Sequence, residues 1–508
     1  MSTLTYIIAW PLLAAIFLAF VPRNFKVVMP AVAIFATFVS ALLAVKMFLQ
    51  FKTGFAGYQF DQNIEWVREV GIHYHVGVDG INVGLVLMAA VVAFAAACCS
   101  WDVQDRQKEF YILLLVMTGG ILGAFASLDL FFFYFFHELA LVPTFIMIGV
   151  WGRGERKNYA TFQITLYLSV GALIALLGLL ALYLQSGAHT FDIPALADHL
   201  KNNPLSAKAQ NFIFPLLLFG FGILISLWPF HTWAPLGYSS APTATAMLHA
   251  GVLKKFGLYG LIRVALPLLP DAAKGWAHVV AWLCLGNLLY CGWVAMRQRN
   301  LNWLIGYSSV AHMGFIFLGI ATLSLVGVTG AVLVMIAHGF LAALSFALSG
   351  YLYQQTGTLD MDQLGGLLRK LPFIGTLLVM TAFAGCGLPG FANFVGEVTV
   401  FFGAWDAFPR VTSLACWGAL LVGAIYMLRM VRNILHGPMS ERWSGVVDAP
   451  HFGIKLPFVV LVVALLLFGC FPRLLTDKIG YDANRIVSAI NRGNQTAEGK
   501  TLVVQSVR

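Results

Sequence analysis

Long apolar runs fill most of the chain, and short polar segments separate them. A helix needs roughly 20 residues to cross about 30 Å of hydrocarbon. The runs are continuous rather than alternating, which favours membrane helices over the strands of a barrel. The pattern predicts fourteen spans, at approximately residues 3–21, 27–50, 79–100, 110–127, 129–151, 160–185, 211–230, 242–268, 276–296, 303–323, 327–353, 372–403, 412–434 and 455–472.

Two predicted spans are broken at matching places. Span seven ends in WPFH at 228–231, and span twelve contains GCGLPG at 385–390. The break of span twelve comes five spans after the break of span seven, so the sequence predicts two five-helix repeats. An odd number of helices per repeat makes the two repeats inverted. Broken helices at matched positions of two halves point to an ion pathway at mid-membrane.

The fold class predicted from this pattern is an all-α polytopic membrane protein in four parts. Residues 1–109 hold spans one to three, and residues 110–268 form the first antiporter-like repeat, with spans four to eight. Residues 276–435 form the second repeat, with spans nine to thirteen. Residues 436–508 hold span fourteen and a polar C-terminal tail, which is predicted to be short-helical or disordered from residue 473 onward.

Composition supports the membrane class and excludes several others. The 508 residues are 60% hydrophobic and 10% charged, whereas soluble domains carry about 25% charged residues. The seven cysteines form no C-x-x-C pair, and no glycine-rich nucleotide motif is present, so we expect no metal and no bound cofactor in this chain. The apolar N-terminus lacks a basic leader and a cleavage site, which indicates a retained first span.

The net charge of +9 reflects topology rather than nucleic-acid binding, because the basic residues are dispersed at the ends of spans. Loops on one side carry fifteen Lys and Arg, against six on the other side before the tail. The positive-inside rule then places both termini outside. A bacterial inner membrane fits this pattern, and an organelle-encoded origin would look similar.

Ionisable side chains inside the spans are the candidate chemistry. A charge at the bilayer centre costs at least ~2.5–3.5 kcal/mol, so each one needs a reason. The candidates, with His231 at the break of span seven, are Glu138, His231, His249, Lys254, Lys255, His312, His338 and Glu397.

Taken singly, each candidate has a structural alternative. Glu138 could be a neutral acid that is hydrogen-bonded to the backbone, and Lys255 could belong to a structural ion pair. A buried histidine could be a core residue whose hydrogen bonds are all made. An imidazole can, however, pass a proton through either nitrogen, and a buried lysine can exchange protons near neutral pH. As a set at similar depth, they favour a polar axis for protons across an apolar bundle.

Several segments resemble a known family, the antiporter-like subunit M of proton-pumping NADH:quinone oxidoreductase (complex I). The resemblance covers about residues 65 to 472. It is carried by YHVGVDGI at 74–81, ELALVP at 138–143, APTA at 241–244, GVL at 251–253 with Lys255, YGLIR at 259–263, YSS at 307–309 with HMG at 312–314, HG at 338–339, and GLPG at 387–390 through FVGE at 394–397.

The resemblance implies a proton-translocating subunit in the membrane arm of a respiratory oxidoreductase. FMN, iron–sulfur clusters and quinone are then expected in partner subunits, and the neighbours are the related L and N type subunits and lipid. The family's proton-relay roles transfer to the matching positions Glu138, Lys255, His312, His338 and Glu397.

Three positions depart from the family pattern. The family's span seven reads K-x-P-x-x-P-x-H, but here Leu224 stands at the lysine and Ser226 at the first proline, and Gln163 replaces a basic residue of span six. Glu138 therefore lacks its usual partner. Lys254 and His249 are the candidates to substitute in part.

Two other interpretations stay open at this point. The chain could be a subunit of a multi-subunit Na⁺/H⁺ antiporter, although the segments at 74–81 and 387–397 favour the oxidoreductase. It could also be a pump-inactive member that only anchors the membrane arm, which Leu224 supports.

Overall fold

A computed structural model describes the backbone of residues 2–505 and the side chains of residues 2–491. Within that range, eleven helices are long and apolar enough to cross a membrane. The N-terminal part contains Thr3–Phe20 (α1), Val28–Gln50 (α2) and Val83–Cys98 (α3). The next part contains Gln107–Ala126 (α4), Leu130–Trp151 (α5), Lys157–Ser186 (α6), Ile193–Asn202 (α7), Ala207–Ile225 (α8), Trp233–Ser240 (α9), Thr243–Leu248 (α10), Lys255–Gly260 (α11) and Leu266–Leu268 (α12).

The second half repeats this helical character. Its helices are Pro270–Leu285 (α13), Gly292–Arg297 (α14), Leu301–Ala321 (α15), Leu325–Thr356 (α16), Pro372–Gly385 (α17), Ala392–Trp405 (α18), Pro409–Cys416 (α19), Gly423–Leu435 (α20), Phe452–Cys470 (α21) and Arg473–Gln505 (α22). Single π-helical turns join several of them, at His249–Leu253, Leu261–Ala265, Gly286–Cys291 and Trp417–Val422. Short 3₁₀ turns lie at Arg68–Val70, Leu367–Arg369 and Glu441–Trp443.

Every predicted span has a helical counterpart, which confirms the fold class. Both predicted breaks are present: α8 ends at Ile225 before the short α9, and residues 386–391 separate α17 from α18. The bundle is organised around α16 and α15, whose most apolar stretches are 100% and 94% buried. The helix pair α6 and α8 and the pair α16 and α18 pack closely, and these pairs occupy equivalent places in the two predicted repeats.

A β-hairpin precedes span three, which the hydrophobic pattern did not predict. Strand β1 (Gln59–Val67) pairs antiparallel with β2 (Ile72–Val78), and Asn63 lies opposite His75. The segment at 74–78 is therefore strand, and the helix of span three begins at Val83. We call the end of the bundle that carries this hairpin the hairpin end.

The C-terminal tail is one helix, so the prediction of short helices or disorder is wrong for residues 473–505. Its described part buries an apolar stripe at helical spacing, formed by Leu475, Ile479, Ala483, Ile486 and Ile490. This stripe packs α22 along α16 and α13 at the hairpin end. The low overall hydropathy of the tail concealed this stripe, because polar residues cover the rest of the helix.

Candidate functional site

Span eight (residues 243–268) carries both lysines in the interior of the bundle. The π-helical turn His249–Leu253 directly precedes them, and Lys254 and Lys255 are 1% and 0% exposed. Single π turns inside α-helices are rare and frequently occur at functional sites. Successive residues on a helix point about 100° apart, and the two ammonium groups accordingly have different neighbours.

Lys255 faces span eleven. Its Nζ lies 2.8 Å from His338 Nδ1 and donates to the carbonyl oxygen of Ala250 at 2.7 Å. The two spans approach closely at a pair of glycines, since a Cβ on Gly251 would lie 3.0 Å from the carbonyl oxygen of Gly339. This close approach allows the ammonium group to reach the imidazole directly.

His312 continues the chain of contacts from His338. The two ring centroids are 5.4 Å apart. His312 Nδ1 lies 2.7 Å from the carbonyl oxygen of Ser308 and must donate, because a carbonyl oxygen only accepts. In the neutral ring Nε2 is then unprotonated, and it lies 3.6 Å from Glu397 Oε1.

The break of span twelve encloses Glu397. The carboxyl group is buried, and Oε1 has no hydrogen-bond partner among the described residues. Gly387, in the break, has a φ of +66°, and a Cβ there would lie 2.6 Å from Glu397 Oε2. The break therefore needs glycine both for its backbone conformation and for the space that the carboxylate occupies.

Lys254 and the other two histidines form a second group beside the first. Lys254 Nζ lies 3.4 Å from Ser309 Oγ and 5.7 Å from the ring centroid of Tyr238. Tyr238 Oη is 3.2 Å from His249 Nδ1. His231, at the break of span seven, is 4% exposed and stands edge-on to the ring of Tyr290.

Glu138 stands apart from both groups. Its side chain is 33% exposed, and its buried Oε1 has no hydrogen-bond partner among the described residues. Leu224, where the family pattern has a lysine, is 4% exposed in α8. The contacts of Lys254 run to Ser309 and Tyr238, and those of Lys255 to His338 and Ala250, so neither ammonium is directed at this carboxyl group.

Two further residues of the site, His137 and Asn287, were not predicted from the sequence. His137, beside Glu138, is 2% exposed and places Nδ1 3.4 Å from Glu138 Oε1. A histidine in a run of phenylalanines was the available signal. Asn287 accepts from Trp228 N–H at 2.9 Å and donates to the carbonyl of Ser226 at 3.0 Å, which fastens the break of span seven to its neighbours. An amide inside the apolar run of predicted span nine was the available signal.

An ion pair fixes the hairpin end of span eight. Arg263 makes a bidentate contact with Asp79, both bonds 2.6 Å long, and both side chains are buried. Asp79 lies between β2 and α3, so the pair joins the hairpin segment to the helix that carries the lysines. Bidentate arginine–carboxylate contacts fix orientation as well as charge.

A second polar cluster fastens the hairpin to the first repeat. His75 Nε2 lies 2.8 Å from Asp61 Oδ1, and Nδ1 contacts Asp192, which caps α7. Burial alone would lower the pKa of His75, but the hydrogen bonds and charges of the two carboxylates outweigh it and raise the pKa. Both ring nitrogens donate to carboxylates, which requires the imidazolium form.

Known proteins share this architecture over nearly the whole chain. The family model described as NADH:quinone oxidoreductase/Mrp antiporter, TM, matches residues 127–422. NAD(P)H-quinone oxidoreductase chain 4 1 of Picosynechococcus sp. is 34% identical over 496 residues, which are 96% of this chain and 92% of that one. NADH-quinone oxidoreductase subunit M of Escherichia coli is 32% identical over 479 residues, covering 91% and 93% of the two chains.

A solved structure agrees with these relatives. A chain of respiratory complex I from Thermus thermophilus with bound NADH superposes with a TM-score of 0.88 at 28% identity, covering 96% of this chain and 99% of that chain. The resemblance inferred from the sequence is thereby confirmed, including its subunit M, or chain 4, character. The chain is a multi-pass membrane protein that belongs to the NADH:quinone oxidoreductase/Mrp antiporter family, as an antiporter-like membrane-arm subunit of the oxidoreductase.

Proposed function

We propose that the chain translocates protons along the buried axis that Lys255, His338, His312 and Glu397 form, coupled to quinone reduction in other subunits. The observation that carries the proposal is the contact series from Lys255 Nζ to Glu397 Oε1, which crosses from span eight to span twelve inside an apolar bundle. Isolated ionisable groups at this depth would be costly, whereas a connected series can hold and pass a proton.

The contacts at the two ends of the series support a relay. The ammonium of Lys255 can give a proton to His338 Nδ1 at 2.8 Å, and the free Nε2 of His312 faces Glu397. The transfer between the two imidazoles has no direct hydrogen bond, so it requires a side-chain rotation or a bridging water. His338 can then accept a proton on one nitrogen and release it from the other, whereas His312, whose Nδ1 donates to the carbonyl oxygen of Ser308, takes up and releases the proton at Nε2.

The adjacent lysines supply an electrostatic coupling between the two groups of the site. Two ammonium charges close together in a low-dielectric interior repel strongly. A proton arriving on Lys254 therefore favours release of the proton on Lys255 toward His338. In this proposal Lys254, His249 and His231 form the delivering group and Glu397 receives the proton.

The exposed part of Glu138 indicates where a neighbouring subunit binds. A carboxyl group that is one-third exposed midway along a span would face hydrocarbon in an isolated chain. We infer that an adjacent antiporter-like subunit of the L or N type covers this face of α5, with lipid filling the remaining perimeter. The distribution of basic loop residues supports a bacterial inner membrane with both termini outside.

The test is proton pumping by the assembled complex in sealed vesicles, normalised to NADH oxidation. Lys255→Ala should lower the proton yield by about 100-fold, the order of magnitude that a positioned proton-transfer group contributes. Lys201→Ala is the matched control, because Lys201 is exposed and pairs only with the neighbouring Asp198 among the described residues. Wild-type pumping by Lys255→Ala in an intact complex would leave the chain a structural member of the arm.

A further inference from the structure

The carboxyl group of Glu138 needs a basic partner that span seven does not supply. Phe133 of α5 and Phe221 of α8 are in ring contact, with centroids 6.2 Å apart, so the two helices are neighbours. Leu224 lies one turn beyond Phe221, and Glu138 lies between one and two turns beyond Phe133. The helices run in the same direction because one span separates them, and an apolar side chain therefore occupies the level of the carboxyl group.

His137 is the basic side chain that contacts Glu138. Its Nδ1 lies 3.4 Å from Glu138 Oε1, and each of these two atoms is buried without a hydrogen-bond partner among the described residues. Two unsatisfied buried polar atoms facing each other are costly unless a proton joins them at some stage. The geometry is that of a carboxylic acid and an imidazole poised to share one proton.

Packing fixes the orientation of this imidazole. The ring of His137 stacks on Phe256 with centroids 4.0 Å apart and planes inclined by 22°. Phe133 stacks on the same phenylalanine at 4.1 Å and the same angle. Phe256 follows Lys255 directly in span eight, so the imidazole is held against the helix that carries both lysines.

His137 also lies toward the delivering group of the site. His137 stacks on Phe256, which belongs to the same span as His249. His249 contacts Tyr238, and the ring of Tyr238 lies beneath the ammonium of Lys254. His137 therefore stands between the carboxyl group at the surface of α5 and the buried side chains of span eight.

We propose that His137 is the proton partner of Glu138. It takes the role that the family pattern gives to a lysine at position 224, where this chain has Leu224. The O–H bond of the carboxyl group breaks and an N–H bond forms at Nδ1 of His137, which leaves a carboxylate beside an imidazolium. Loss of the Nε2 proton toward His249 returns the imidazole to its neutral form. No electrons are transferred, and the proton is the only species that moves. This inference rests on the proposed function, because it extends the same relay to the face of α5.

The test compares four variants in the vesicle assay. His137→Phe keeps the stacking on Phe256 and removes both nitrogens, and it should lower the proton yield about tenfold, as Glu138→Gln should. Adding Leu224→Lys to His137→Phe should restore at least about a third of the yield, since the lysine supplies a new cation beside the carboxyl group. Phe133→Leu is the packing control, because it disturbs the same phenylalanine without removing a proton carrier.

The outcomes separate this inference from the proposed function. If His137→Phe pumps like the wild type while Lys255→Ala does not pump, His137 has no such role and the relay stands. A loss in His137→Phe that Leu224→Lys does not relieve, or an equal loss in Phe133→Leu, makes the role structural and overturns the inference. If His137→Phe does not assemble, His137→Gln gives the same comparison, because an amide cannot carry the proton.

Discussion

The two halves of the polar axis differ in how completely their side chains contact one another. In the second half, Lys255, His338, His312 and Glu397 are all at most 5% exposed and follow one another in space. In the first half, Glu138 is one-third exposed, has an apolar residue where the family has a lysine, and contacts a histidine instead. A proton relay whose side chains are all buried in one chain needs no groups from another subunit. A relay that reaches the surface of the chain depends on the subunit that covers this surface.

The largest expected effect distinguishes the two terminal carboxyl groups. Glu397→Gln should lower the proton yield about 100-fold, because an amide cannot take the proton that the proposed relay delivers from His312. Glu138→Gln should lower it about tenfold, since its side chain is one-third exposed and, in the proposal, a neighbouring subunit covers it. The measurement is vesicle acidification per NADH oxidised, with Glu109→Gln as control, because Glu109 pairs with the exposed Arg23 outside the axis. Equal effects at the two sites would remove the distinction between the halves.

A second prediction concerns the ion pair at the hairpin end of span eight. Asp79→Asn removes the bidentate countercharge of the buried Arg263 and should lower the free energy of unfolding by about 3–5 kcal/mol. Asp198→Asn, at an exposed pair with Lys201, should change it by no more than about 1 kcal/mol. Thermal unfolding of the purified complex measures both. Similar midpoints for the two variants would show that the Asp79–Arg263 pair does not hold span eight.

The smallest expected effect is a pH dependence at the hairpin, which belongs to the first half alone. The two carboxylates raise the pKa of His75 in the folded protein. The protonated imidazole therefore stabilises the folded state fully below about pH 6.5, and this stabilisation is lost as the pH rises through the pKa of His75 in the folded protein. The unfolding midpoint of the wild type should therefore exceed that of His75→Gln by several degrees at pH 6, and the difference should shrink toward pH 9. His73→Gln, at a neighbouring histidine whose ring contacts Asn63 rather than a carboxylate, is the matched control. A difference that grows with pH would contradict the imidazolium assignment.

The residues of the proposed relay could be picked out as buried ionisable groups because each violates the apolar pattern of its span. A histidine or lysine in a continuous hydrophobic run is visible without any structure, since hydrocarbon provides no hydrogen bonds to an isolated polar group. His137 gave the same signal and was passed over beside the more conspicuous Glu138. The β-hairpin was not predicted because neither strand shows a regular alternation of buried and exposed residues. The tail helix was missed because a narrow apolar stripe leaves the average polar.

The sequence by itself determined the all-helical membrane fold, the two breaks and the inventory of buried ionisable groups, because hydropathy and the conformational limits of proline and glycine act locally. Only the tertiary structure decided which of these groups meet. That Lys255 reaches His338 while Lys254 turns to Ser309 depends on a π turn and on the close packing of spans eight and eleven. That Glu138 lies at the surface of the bundle depends on which face of α5 its neighbours cover, and contacts between residues far apart in the chain fix both.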